Sequence, residues 1–273
     1  MQLARLASAF ALAFSACTVF AQTAAYAQNA EVTLTRFDCG IPRSNDVNQR
    51  FSDTYAYPGL KVQFVFSCYL IKHGNEYMMW DTGYGPTNEA APKETLVQQL
   101  AKLNVKPEQI KYVGISHYHG DHIGGAFQFP TATLLIGKGE LDSIKAGTAP
   151  QGTDAMLKHW LTEGGKAEPL ANDKDVFGDG SVIILNTPGH TPGHHSILVK
   201  LAQKGPVILV GDAAHFHENY EKNGVPWFNF DRSQTIASID RIKGIAANQK
   251  ATVILQHDAR DVSKLPAAPE SAK

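Results

Sequence analysis

The chain carries no excess charge of either sign: 25 Lys and Arg stand against 26 Asp and Glu in 273 residues, a net charge of −1. Phosphate contacts dominate nucleic-acid binding, so a near-neutral chain offers DNA or RNA no general attraction. Blocks of like charge, internal repeats and low-complexity arrays are also missing, which excludes a charged tail, a solenoid and a collagen-like or disordered chain. Cysteine is scarce. There are three, and none stands in the Cys-x-x-Cys spacing of a redox or zinc motif. No Gly-x-Ser-x-Gly elbow suggests a serine nucleophile. With 43% hydrophobic and 19% charged residues, what remains is an ordinary globular composition.

Long apolar runs are absent too, with one short exception. Arg5 is followed by an almost unbroken apolar stretch, Leu6–Phe20, and then by Ala25-Tyr26-Ala27, a small-x-small cleavage signal. The run is shorter than the about 20 residues a helix needs to span a bilayer. Residues 1–27 are therefore read as a signal peptide, with cleavage after Ala21 as a second option, and the mature chain as periplasmic or secreted. Phe14-Ser15-Ala16-Cys17 resembles a lipobox only in part, since Phe14 fits its first position poorly. Cys17 falls in the leader. Cys39 and Cys68 remain, and in an oxidising compartment they could pair. Both adjoin strand-like runs, where a free Cys packs as a small apolar residue, and the reading favours two buried thiols.

The rest of the chain alternates strands and helices. Val32–Phe37, Val62–Lys72, Tyr77–Trp80, Tyr112–Ile115, Thr133–Ile136, Val182–Leu185, Ser196–Leu201, Val207–Val210 and Thr252–Gln256 read as strands, rich in β-branched and aromatic residues. Glu94–Leu103 has apolar residues at helical spacing, Asp154–Leu161 suits a short helix, and Asp231 can cap a long one with Ile236, Ile239 and Ile242 on its buried side. No linker interrupts this pattern. Residues 28–264 are read as one domain and 265–273, rich in Pro and Ala, as a frayed tail.

Potential ligands gather at strand ends. Tyr112–Ile115 runs straight into Ser116-His117-Tyr118-His119-Gly120-Asp121-His122, a dense set of imidazoles with a carboxylate that suits zinc, although manganese, iron and cobalt accept the same donors. In an extended loop His117 and His119 face one side, while Asp121 and His122 can turn to a second point. One ion cannot readily take all four. His190, Asp212 and His257 each follow a later apolar strand. The count fits one divalent ion on His117, His119 and His190, a second on Asp121, His122 and His257, and Asp212 bridging them. A His-rich solvated loop is the bland alternative, and the density of donors argues against it.

The run His117-Tyr118-His119-Gly120-Asp121-His122 resembles the H-x-H-x-D-H signature of the metallo-β-lactamase superfamily. Thr187-Pro188-Gly189-His190, Gly211-Asp212 and His257 match its later motifs in order. The resemblance implies an α/β fold, an αββα sandwich of two mixed β-sheets with outer helices and metals at one edge. Within that superfamily Cys68-Tyr69-Leu70-Ile71, Asp81-Thr82-Gly83, Gly211-Asp212-Ala213, Glu218-Asn219-Tyr220 and Val225-Pro226 resemble the N-acyl-homoserine lactonases, the quorum-quenching branch. So does the stretch Ser238–Ile242 and His257-Asp258. The branch carries a Tyr three residues after its bridging Asp; here that position is His215.

The resemblance implies two zinc ions that acidify a shared water and polarise a lactone carbonyl. It implies His215 as a donor to the developing oxyanion, and Asp121 as both ligand and proton carrier to the departing alkoxide. Asp81 would orient a ligating His, unless it is only a turn carboxylate. Trp227, Phe228 and Phe230, with Phe51, Tyr55 and Tyr57, could line a groove for an acyl chain, though aromatics at such spacing also build plain cores. His194 and His195 are expected in structural hydrogen bonds, and His73 and His159 at the surface. His217 could approach the pocket.

The expected partner is a small acyl lactone. No interface signature indicates an oligomeric state. A β-lactamase is the obvious rival, but the subclass carrying H-x-H-x-D-H lacks an Asp at the position of Asp212. Aryl-ester and phosphotriester hydrolases carry one and stay open. A metal-binding or sensory protein without activity is a further alternative.

Overall fold

The computed structural model describes residues 30–273. The expected signal peptide and Cys17 lie outside the described residues, and no described helix is long and apolar enough to cross a membrane. Thirteen strands are present among the described residues: β1 Val32–Asp38, β2 Arg43–Asp46, β3 Lys61–Phe64, β4 Ser67–His73, β5 Glu76–Trp80, β6 Ile110–Gly114, β7 Thr133–Gly137, β8 Ala167–Leu170, β9 Lys174–Asp175, β10 Val182–Asn186, β11 His195–Leu201, β12 Gly205–Leu209 and β13 Thr252–Ile254. The helices are α1 Leu96–Ala101, α2 Gly120–Ile123, α3 Lys138–Lys145, α4 Thr153–Met156, α5 Lys158–Thr162, α6 His217–Lys222 and α7 Arg232–Gln249.

Two mixed sheets result, in the orders β1-β4-β5-β6-β7-β8 and β13-β12-β11-β10-β9, with β2 and β3 as a separate hairpin. Most strands are apolar on both faces because both faces are covered. Successive side chains point to opposite sides of a strand, and here the two sides serve different cores. Tyr69, Ile71, Met78, Trp80 and Leu135 meet Val182, Ile184, Ile197, Val199 and Leu209 between the sheets. Their neighbours Leu70, Met79, Leu134 and Ile136 turn outward to Leu96, Leu100, Leu141 and Trp160 of the helices. On the far side Leu185, Leu198, Ile208 and Val210 pack on Ile239 and Ile242 of α7. The layers are helix, sheet, sheet, helix, as the resemblance implies.

Local signals explain the helices that flank these layers. Thr95 and Gln98 form a reciprocal capping box at the start of α1. Asp231 accepts from the Gln234 amide at 2.9 Å to open α7, and Lys250 in the left-handed region closes it. The buried side of α7 is Thr235, Ser238, Ile239 and Ile242; Ile236 is only half-buried.

Four expectations are corrected. The single strand expected over Val62–Lys72 is two, because the chain leaves the β2–β3 hairpin at Phe64 and enters the large sheet at Ser67. The short helix expected over Asp154–Leu161 divides into the one-turn helices α4 and α5. Residues 265–273 do not fray: Leu265 and Ala272 are buried, and the Leu34 and Ala272 amides exchange hydrogen bonds of 2.9 Å with each other's carbonyls, satisfying the open edge of β1. Finally, Cys39 and Cys68 are joined, their Cα atoms 5.8 Å apart at the adjoining ends of β1 and β4.

That disulfide also braces the turn after β5, where the Tyr84 amide donates to the Cys39 carbonyl at 3.1 Å. It closes a separation of 29 residues, for which loop entropy predicts about 3–4 kcal/mol of stabilisation. The Cys39→Ala/Cys68→Ala protein should lose that much in urea denaturation, with a larger m because the unlinked denatured chain is more expanded. Two titratable thiols in the unreduced, denatured wild type would contradict the pairing.

Candidate metal centre

Strand ends deliver the site. β6 leads into His117 and His119, after which the single turn of α2 turns Asp121 and His122 away from them. β10, β12 and β13 lead into His190, Asp212 and His257. The structure brings all seven together in the two groups read from the sequence. His117, His119, His190 and Asp212 offer ligand atoms within 4.8 Å of one another, and so do Asp121, His122 and His257. Asp212 divides its carboxylate between them. Its Oδ1 lies 3.1 Å from His257 Nε2 and 3.4 Å from His122 Nε2, while Oδ2 lies 3.6 Å from His190 Nε2 and 3.7 Å from His117 Nε2.

These atoms are arranged for cations rather than for one another. His119 Nδ1 faces His117 Nε2 at 2.9 Å and His190 Nε2 at 3.1 Å. Three converging imidazole nitrogens cannot be satisfied by the protons available between them. His122 Nε2 and Asp212 Oδ1 are buried with no hydrogen-bond partner. Orphaned buried groups are costly and mark a site that something else completes.

The opposite ring nitrogens show how the free atoms are selected. His122 Nδ1 donates to Asp81 Oδ2 at 2.9 Å, and the other Asp81 oxygen accepts from the Ser116 amide at 2.7 Å. Asp81 thus orients His122, as expected, and is itself held fully buried in the left-handed region with φ +56°. Ser116 Oγ donates to Asp81 at 2.9 Å and lies 3.0 Å from His117 Nδ1, from which it can accept. His257 Nδ1 donates to the Val65 carbonyl at 2.9 Å. In each case the proton is fixed on Nδ1, leaving Nε2 as the ligand atom.

Asp212 is placed by its own neighbours. Gly211 before it has φ +63°, and a Cβ there would stand 2.7 Å from His194 Nε2. That same nitrogen accepts from the Asp212 amide at 2.9 Å, while His194 Nδ1 donates to the Thr187 carbonyl at 2.9 Å. His194 and His195 do serve structural hydrogen bonds. Sequence reasoning missed Ser116, although its place between strand and first His was a usable signal. It also missed Glu140, a fully buried carboxylate that accepts from the Tyr118 amide at 3.1 Å and the Gly193 amide at 2.7 Å, tying two ligand loops together. Glu140 lies on α3, a helix the sequence pattern did not reveal.

Charge at the centre is uneven. Burial pushes His117 and His190 well below the usual imidazole range, helped at His117 by the charge of His122. Burial also opposes charge on His122 and His257, but the facing carboxylates, Asp212 foremost, outweigh it and raise both. Burial acts against the charge of Asp212 as well, and the surrounding imidazoles overcome it, holding that carboxyl well below its ordinary range. Positive charge is required here, as protons or as bound cations.

The centre opens into a cavity of about 520 Å³ lined by Phe51, Phe64, Phe66, Trp227 and Phe228. A larger cleft of about 700 Å³ at Glu31, Asp179 and Lys200 lies at the far ends of the strands, away from the ligand groups. Trp227 and Phe228 reach the cavity, as expected, and so does Phe51. Tyr55 and Phe230 are exposed outside its lining, and Tyr57 is buried against Phe216, so these three are corrected. His217 binds Asp261 at 2.7 Å and does not reach the cavity. His73 is not a plain surface residue: it pairs with Asp179 at 2.7 Å and stacks on Phe177. His215 lines the cavity, with its Nε2 3.2 Å from Asp212 Oδ2 and its Nδ1 buried without a partner.

His195 beside the centre sets a pH limit on the fold. Its Nδ1 donates to the Gly193 carbonyl at 2.7 Å, and burial pushes the ring down to about 4. In the unfolded chain the ring titrates near 6.5. Below that pH the unfolded chain gains a proton that the folded one refuses. Stability present above pH 6.5 is therefore lost as pH falls through about 4, by on the order of 3 kcal/mol. Urea midpoints measured from pH 7 to 4 should fall more steeply for the wild type than for His195→Asn. Parallel curves would contradict this assignment.

Comparison with known proteins places these features in a family. The metallo-beta-lactamase superfamily matches over residues 65–257. An N-acyl homoserine lactonase of a Bacillus species is 30% identical over 223 residues, covering 74% of this chain and 84% of its own. The N-acyl homoserine lactonase AttM of Agrobacterium fabrum is 34% identical over 178 residues, covering 64% of this chain and 68% of its own. Among solved structures, a quorum-quenching N-acyl homoserine lactone hydrolase is similar with TM-score 0.75 and 26% identity, over 89% of this chain and 98% of its own. The dizinc quorum-quenching lactonase AidC, at TM-score 0.66 and 20% identity over 84% of this chain and 88% of its own, shares the fold. Matched over most of its length and carrying the ligand pattern at one edge of its sandwich, this chain belongs to the metallo-beta-lactamase superfamily of metal-dependent hydrolases.

Proposed function

We propose that this protein is an exported binuclear zinc hydrolase that opens the lactone ring of N-acyl-homoserine lactones. The observation that carries the reading is the pair of ligand groups sharing Asp212 at the floor of an aromatic cavity. His117, His119 and His190 would hold one ion and Asp121, His122 and His257 the other. Zinc so held acidifies water and polarises a carbonyl oxygen.

The chain's own groups do the rest. Asp121 is the half-exposed carboxylate of the set, with Oδ2 lying 3.6 Å from His257 Nε2 and its side chain on the cavity. As water adds to the lactone carbonyl, Asp121 takes a proton and returns it to the ring oxygen when the C–O bond breaks, leaving a hydroxy acid. His215, on the cavity wall beside Asp212, would donate a hydrogen bond to the oxyanion as charge develops on the carbonyl oxygen. Phe51, Phe64 and Phe228 pack around His215 and His257 and exclude water from that side.

The names of the relatives support the lactone as substrate. Export is supported by Arg5 with the following apolar run, and by a disulfide, which persists in oxidising compartments. One experiment tests both parts. Protein recovered from the periplasmic fraction of expressing cells should begin at Gln28, and with zinc should open hexanoyl-homoserine lactone at a kcat/KM at least 100-fold above that for a β-lactam or an aryl ester. A preference for the aryl ester would replace the lactonase reading. A full-length chain confined to the cytoplasm would overturn export.

A further inference from the structure

The cavity has a polar rim that neither the ligand groups nor the aromatic walls explain. Six arginines occur among the described residues, and four of them pair with carboxylates: Arg36 at 2.9 Å, Arg232 at 2.6 Å, Arg241 at 2.5 Å and Arg260 at 2.6 Å. The two that pair with none among the described residues, Arg43 and Arg50, both line this cavity. Residues 1–29 contain no Asp or Glu to complete them.

Both guanidinium groups lie over the aromatic walls, Arg43 at 5.2 Å from the Phe66 ring centre and Arg50 at 5.5 Å from that of Phe228. Stacking of this kind uses the face of the group and leaves its N–H edge for an acceptor. Arg43 spends one long contact, 3.4 Å, on the Tyr84 hydroxyl, which keeps its own proton to donate. Between them on the hairpin, Asn45 also lines the cavity, and its Nδ2 is buried with no partner. The rim is therefore a set of unused donors with two uncompensated positive charges. Carboxylates match guanidinium forks in shape and charge, and a buried amide donor needs an acceptor.

We propose that Arg43, Asn45, Arg50 and Tyr84 form a subsite for a carboxylate on the acyl arm of the substrate, so that the preferred lactones or esters are anionic. The inference rests on the hydrolase reading for its reaction, but not for its binding. The carboxylate formed by hydrolysis arises at the ligand groups on the floor, so it does not account for donors carried by a separate hairpin. Hydrocarbon in this cavity would leave the buried Asn45 amide without an acceptor and the two exposed guanidinium groups without a counter-charge.

Two homoserine lactones, acylated with hexanoic or with adipic acid, differ only in a terminal methyl against a carboxylate. The zinc-loaded wild type should favour the adipoyl compound at least tenfold in kcat/KM, mainly through KM, and the preference should shrink with added salt. Arg43→Gln/Arg50→Gln should lower the ratio of the two substrates by about tenfold to hundredfold, the range of a lost charge-assisted pair. Adipate alone, titrated against the emission of Trp227 with Trp227→Phe as control, should bind saturably to the wild type and at least tenfold more weakly to the double variant.

A wild type indifferent to the terminal carboxylate, or a ratio untouched by the double substitution, would overturn the subsite. If neither lactone is hydrolysed, the hydrolase reading fails while the adipate titration still decides the subsite. Adipate binding that persists in the double variant would place it at the ligand groups and contradict the inference.

Discussion

A carboxylate buried among imidazoles governs this structure. Asp212 sits between two groups of ligand atoms, with His257 and His122 facing one oxygen and His190, His117 and His215 facing the other. Burial of such a charge is tolerable only if positive charge meets it from both sides. Its position is in turn over-determined. A left-handed glycine precedes it, His194 accepts from its amide, and His215 stands against its outer oxygen. Moving this one side chain would disturb both groups at once.

The sandwich exists, in functional terms, to bring these atoms to one edge. Strands with two buried faces form stiff sheets, and four of their ends carry the seven ligands. The layer outside the ligands is as specific as the ligands themselves. Asp81, Ser116 and the Val65 carbonyl each take an Nδ1 proton or pass it on, which leaves the Nε2 lone pairs pointing inward. The Cys39–Cys68 link, next to the Asp81–Gly83 turn, steadies that layer from outside.

The ligands were legible in the sequence because short apolar strands ending in His or Asp are a local pattern, and the type of each residue names its chemistry. Asp81 was legible through its motif. What could not be read depends on distance between remote segments. A strand-like run from Val62 to Lys72, rich in β-branched and aromatic residues, hides the turn at Val65-Phe66 that separates the hairpin from the sheet. The tail after Leu265 has little pattern of its own and is ordered only by the edge of β1. Cys39 and Cys68 are equally plausible as free core residues until their strands are paired. Arg43 and Arg50 gave no signal, since an arginine is unusual only when its missing partner is known to be missing.

The most direct test of the account is the metal content of the wild type and of Asp212→Ala, each purified with zinc present and measured by elemental analysis against protein concentration. The account predicts two zinc ions per wild-type chain and no more than one per Asp212→Ala chain, because the shared carboxylate is what lets two divalent ions sit side by side. A wild type that saturates at one ion, or an Asp212→Ala protein that keeps both, would contradict it.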